Sequence, residues 1–170
     1  ARGIAWRDQL TALDSATTME QLAAVNQFFN QRVRYQTDQK IYGVEEFWAT
    51  PAETLGAGMG DCEDFTIAKY TSLRHLGVPA EQLRLTYAQL KITSSRSQAH
   101  MVLAWYPSPN STPLILDNFN PRILPASQRK DLKPIFSFNS EEVWQGLRTS
   151  TSASPSARIS QWRQMISRAK

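Results

Sequence analysis

The chain has 170 residues, 41% hydrophobic and 20% charged, with a formal net charge of +4, which suits one soluble domain with its own core. One cysteine excludes an internal disulfide, and with only two histidines beside it a structural zinc site is disfavoured. No apolar run reaches membrane length, and no dense basic run interleaved with aromatics marks a nucleic-acid surface.

No signal peptide opens the chain, and its abrupt start at Ala1 is what removal of an upstream segment would leave. The spacing of Ile4, Trp6, Leu10 and Leu13 predicts a short helix over residues 4–13. A capping box at Thr18 and Gln21, followed by Leu22, Val25, Phe28, Phe29 and Val33, predicts a helix over 19–33. Residues 34–49 read as irregular, with Tyr42, Phe47 and Trp48 packing inward. Thr50-Pro51-Ala52-Glu53 is a helix start, and that short helix should stop at Gly56.

Gly56, Gly58 and Gly60 then form a loop able to approach other groups closely. No Gly-Lys-Ser/Thr follows, so it is not a phosphate loop. Asp61 caps the next helix, with Asp64 at its third position. Phe65, Ala68, Ser72, Leu73 and Leu76 give its buried stripe, and Gly77 and Pro79 end it. Cys62 therefore sits in the first helical turn, on the side of Phe65.

The period then changes to two. Residues 83–90 and 99–106 read as strands, the second apolar on both faces and so central, with a loop over 93–98. A Pro-rich turn leads to a strand over 114–117, and 134–138 reads as a fourth. Ser140-Glu141-Glu142 starts a short helix. Residues 149–156 look like a linker, and 157–169 form a terminal amphipathic helix carrying Ile159, Trp162, Ile166 and Ala169, docked on the surface of a single domain spanning 1–170. There is no internal repeat.

Pairing Val102 with Ile115 across the hairpin puts His100 opposite Asp117, close enough for a hydrogen bond. A histidine oriented by a carboxylate is half of a nucleophilic triad, and the lone cysteine at a helix start supplies the rest. The electrostatics conflict with this. The helix end favours a thiolate by roughly 0.3–1 kcal/mol. A carboxylate roughly 7 Å away opposes it by about 2 kcal/mol at an effective dielectric near 20. Asp61, Glu63 and Asp64 together outweigh the helix end, so a cation is needed. Oxygen ligands suit Ca2+, with magnesium less suited. Taken singly, each feature has a plainer reading: a buried apolar cysteine, a core histidine, carboxylates that only cap a helix.

Gly60-Asp61-Cys62-Glu63-Asp64-Phe65, Ala99-His100-Met101-Val102 and Leu116-Asp117-Asn118 together resemble the bacterial transglutaminase-like cysteine proteinases, and within them the periplasmic proteases of the LapG type, over roughly residues 20–147. The resemblance implies a papain-like α+β fold, a helical N-terminal part packed on an antiparallel β-sheet. It implies a catalytic triad of Cys62, His100 and Asp117 and calcium dependence carried by Asp61, Glu63 and Asp64. It further implies a periplasmic endopeptidase that cuts a large cell-surface adhesin near its N-terminus at a paired-alanine site and so disperses biofilm. Its expected partner is the periplasmic domain of an inner-membrane cyclic-di-GMP receptor that sequesters it, with neither nucleic acid nor membrane insertion involved. Two alternatives stand beside this: an acyl transferase with the same triad, and a non-catalytic binding module of the same fold. The Cys62 backbone N–H is the expected oxyanion donor. Trp48 is a candidate for the second, and the Gly56–Gly60 loop for the wall of a narrow cleft.

Overall fold

The computed structural model describes residues 1–145, 148–151 and 160–170. Helices α1 (Arg2–Leu13), α2 (Thr18–Arg32), α3 (Asp38–Tyr42), α4 (Pro51–Ala57) and α5 (Cys62–His75) precede most of the sheet. A short parallel ladder joins β1 (Arg34–Tyr35) to β2 (Met59–Gly60). The main sheet follows: β3 (Leu83–Lys91), β4 (Ser97–Trp105), β5 (Leu114–Leu116), β6 (Leu124–Pro125), β7 (Leu132–Phe138), β8 (Val143–Gln145) and β9 (Arg148–Thr151). Its order is β6-β5-β4-β3-β7-β8-β9, antiparallel throughout. A last helix, α6 (Ser160–Arg168), returns to the domain. This is the expected α+β arrangement of helices on an antiparallel sheet, with β4 interior as its apolar faces require.

The helix starts follow local chemistry. The cap of α2 is Thr17 with Glu20, one residue before the expected Thr18 and Gln21; Gln21 instead lies buried and donates to the Leu13 carbonyl at 3.0 Å. Thr50 and Glu53 form the expected capping box of α4. That helix runs through Gly56 to Ala57 and ends on Gly58 at φ +68°, so the three glycines do not form an open loop. Gly56 is helical, Gly58 is the cap and Gly60 pairs in β2.

Helix α5 is enclosed by α2 on one side and β4 on the other, and its buried positions run almost continuously from Cys62 to Leu73. The predicted stripe was too narrow because it assumed one solvent face. The core joins Leu22, Val25 and Phe29 of α2 to Ile67 and Leu73 of α5 and to Leu83, Leu85 and Leu103 of the sheet. Trp48 stacks on Phe138 at a 5.9 Å centroid separation, and Trp162 of α6 meets the edge of the same ring at 5.4 Å. Arg168 fixes α6 further through Glu53 and the Trp48 carbonyl, as docking of that helix requires.

Other expectations change too. The stretch read as irregular holds β1 and α3. The helix expected from Ser140 is a turn into β8, because the Asn139 side chain takes the N–H groups of Glu141 and Glu142 and the chain folds back on β7. Of the residues read as a linker, 149–151 belong instead to β9, paired on β8, and 152–156 lie, with Ile159, outside the described residues. Among the described residues no helix is long and apolar enough to cross a membrane.

Candidate active site

Asp61 caps α5 by accepting the N–H groups of Glu63 and Asp64 at 3.2 and 3.3 Å, while Asp64 accepts the Asp61 N–H at 3.1 Å. This reciprocal box presents Cys62 as the first helical residue, where backbone N–H groups have no partner inside the helix. Gly60 is required by the close approach: a Cβ there would lie 2.9 Å from the Asp64 Cβ.

The His100 and Asp117 pairing predicted from the hairpin is present, with Nε2 and Oδ1 2.7 Å apart and both side chains buried. The register differs from the one assumed: Ala104, not Val102, faces Ile115. A slip of two residues keeps every side chain on its face, so His100 reaches Asp117 diagonally rather than directly. Asp117 also accepts the Phe119 N–H at 3.0 Å and the Arg129 guanidinium at 2.8 Å. Burial pushes its carboxyl up, but His100, the Phe119 N–H and Arg129 together hold it below the usual carboxylate range.

Cys62 faces the same region. The Thr66 hydroxyl, one turn along α5, donates to the Cys62 carbonyl at 2.8 Å and lies 3.3 Å from the Met101 carbonyl, tying the helix to the strand beside His100. The Met101 backbone N–H faces the sulfur and favours its anion, but burial and the Glu63 carboxylate push the thiol well above its ordinary pKa. Among the described residues the sulfur's hydrogen bond is to Glu63 Oε2 at 2.9 Å, not to the imidazole. Tyr87 donates to the other Glu63 oxygen at 2.8 Å.

Asp61 and Asp64 come together with Asp38, not with Glu63: one carboxylate oxygen from each of the three lies within 4.8 Å of the others. The β1–β2 ladder sets Asp38 beside Asp61. Glu63 flanks this group, turned to Cys62 and Tyr87. Burial, then the charges of Glu63, Asp64 and Asp38, push Asp61 up to about 10. Burial pushes Asp64 up to about 7 against the Ala49 N–H that it accepts. Asp38 Oδ1 is buried with no hydrogen-bond donor among the described residues. Crowded hard oxygens with an orphaned lone pair fit a calcium-type ion. Sequence reasoning missed Asp38, because it lies in a polar stretch with no metal-loop spacing.

The indole N–H of Trp48, the candidate second oxyanion donor, points to Glu46 at 3.4 Å, with the ring buried in the core.

Residues 5–151 match the family described as bacterial transglutaminase-like cysteine proteinase. Solved structures of Legionella pneumophila LapG are similar over nearly the whole chain. The EGTA-treated form is 41% identical with a TM-score of 0.88, covering 99% of this chain and 88% of that one. The calcium-bound form is 44% identical with a TM-score of 0.85, covering 99% and 90%. No curated protein sequence matches.

Proposed function

The chain belongs to the bacterial transglutaminase-like cysteine proteinases, and from that premise we propose that it is a calcium-dependent cysteine endopeptidase using Cys62, His100 and Asp117. The observation that carries the assignment is the buried pair of His100 and Asp117, with His100 on the strand whose next N–H faces the Cys62 sulfur.

In this reading Asp117 accepts the proton-bearing Nε2 of His100, which leaves Nδ1 as the base. The thiol exchanges Glu63 for the imidazole and gives Nδ1 its proton. The sulfur adds to the scissile carbonyl, the Cys62 N–H receives the developing oxyanion, and His100 protonates the departing amine. Water then attacks the thioester, with His100 taking its proton, and Cys62 is released. Asp38, Asp61 and Asp64, with Glu63 alongside, would hold the calcium ion, which supplies the positive charge that these carboxylates lack. The calcium-bound relative supports this choice of metal.

We assign the substrate as a large surface adhesin, cut at a paired-alanine site near its N-terminus in the periplasm, with biofilm dispersal as the outcome. We assign regulation to sequestration by the periplasmic domain of a cyclic-di-GMP receptor docking near the cleft. Phe119 supports an apolar contact there: it is 54% exposed, with its ring 6.2 Å from that of His100. Receptor domain and adhesin fragment should compete; simultaneous binding without inhibition contradicts this.

The deciding experiment is cleavage of an N-terminal adhesin fragment. Wild type should cut it and Cys62→Ala should bind without cutting. Equal cutting by both removes the cysteine mechanism, and incorporation of a labelled amine without cleavage would favour acyl transfer instead.

A further inference from the structure

Asp117 holds more charge partners than a histidine-orienting carboxylate needs. Its Oδ1 serves His100 and the Phe119 N–H, and its Oδ2 accepts Arg129 Nη2 at 2.8 Å. Arg129 lies in the turn before β7, is 3% exposed, and is itself held by Asp131 through Nε and Nη2, both at 2.9 Å. The Asp117 carbonyl is fixed as well, by Asn30 of α2 at 2.9 Å. The fully buried Lys69 of α5 donates in turn to Asn30 at 2.8 Å. Arg129 therefore contacts the carboxylate directly, while Lys69 reaches the backbone carbonyl of the same residue through the Asn30 amide.

We propose that Arg129, anchored by Asp131, is a positioning residue for the reaction. It rests on the protease reading above. With Nε and one Nη2 hydrogen committed to Asp131, the second Nη2 hydrogen is aimed at Asp117 Oδ2, and that direction fixes the Asp117 carboxylate plane. Oδ1 is then aimed at Nε2, and His100 is held in the tautomer that leaves Nδ1 unprotonated. Arg129 also helps keep Asp117 ionised, since it is one of the groups holding that carboxyl down. Burying a guanidinium beside the site is costly unless it is paired; Nε and Nη2 are satisfied by Asp131 and Asp117, while Nη1 is buried with no hydrogen-bond partner among the described residues.

The test uses Arg129→Gln, Arg129→Lys and Asp131→Asn, read by adhesin-fragment kinetics and by imidazole nitrogen NMR. Two histidines make the spectrum tractable, with His75 as reference. Arg129→Gln should lower kcat roughly 10- to 100-fold with KM within about twofold, and move the acid limb of kcat/KM to higher pH. It should also show a second His100 tautomer that the wild type lacks. Arg129→Lys should recover part of kcat, because charge returns without the fork. A folded Arg129→Gln with unchanged tautomer and kcat within about twofold overturns the proposal. Should that variant not fold, wild-type kcat and tautomer in both Arg129→Lys and Asp131→Asn overturn it equally. A wild type that cuts nothing sinks the protease reading alone, since the tautomer spectrum still decides the role of Arg129.

Discussion

At the scale of single residues, the sulfur of Cys62 meets opposing influences. The helix start and the Met101 N–H favour its anion, while burial and Glu63 oppose it more strongly, and the thiol accordingly donates to Glu63. Reactivity then depends on His100 taking that proton, which requires the tautomer set by Asp117. Asp117→Asn presents an amide that can donate toward Nε2 and so favours the wrong tautomer. It should reduce kcat by up to about 10⁴-fold while far-ultraviolet circular dichroism stays native. Retained kcat in a folded variant would show that the carboxylate only shapes the turn. The His100 and Asp117 pair was legible in the sequence because strand parity decides which face a side chain occupies. The register was off by two, and an even slip leaves parity intact. Arg129 and Lys69 were not legible, since a charged residue in isolation reads as solvated.

At the scale of elements, β2 and the first turn of α5 form one unit, in which Gly60 packs against Asp64. Gly60→Ala inserts a Cβ 2.9 Å from the Asp64 Cβ and should cost about 1–3 kcal/mol, measured by denaturant unfolding. An unchanged midpoint would mean that the capping box yields freely. The parallel pairing of β1 with β2 carries Asp38 to the same place. Asp38→Asn removes one charge without touching the α5 cap. It should weaken calcium binding at least ~10-fold by calorimetry, and wild-type affinity would exclude Asp38 as a ligand. Two-residue ladders leave almost no trace in hydrophobic period, which is why this contact was not foreseen. The turn after β7 was misread for a related reason. Ser140-Glu141-Glu142 looks like a helix start, but Asn139 takes the donors first.

At the scale of the molecule, the acidic group links stability to pH and to metal. Asp61 and Asp64 have carboxyl pKa values raised to about 10 and about 7, so without metal the native state holds protons that the unfolded chain has lost. That contribution is complete below the ordinary carboxylate range and falls as pH rises through 7 and beyond. Asp117, held low, acts oppositely and loses its contribution only in acid. Thermal melts in chelator should therefore decline from pH 5 to pH 8, and the gain from added calcium should grow over the same interval; a calcium gain independent of pH would contradict the linkage. The order of elements and the α+β class were readable from period changes and caps, whereas the enclosure of α5 by α2 and β4 arises only from packing. The most direct single measurement is the cleavage rate of the adhesin fragment in excess chelator and after calcium is restored. Cleavage should vanish in the first condition and return in the second; an undiminished rate in chelator would contradict the account.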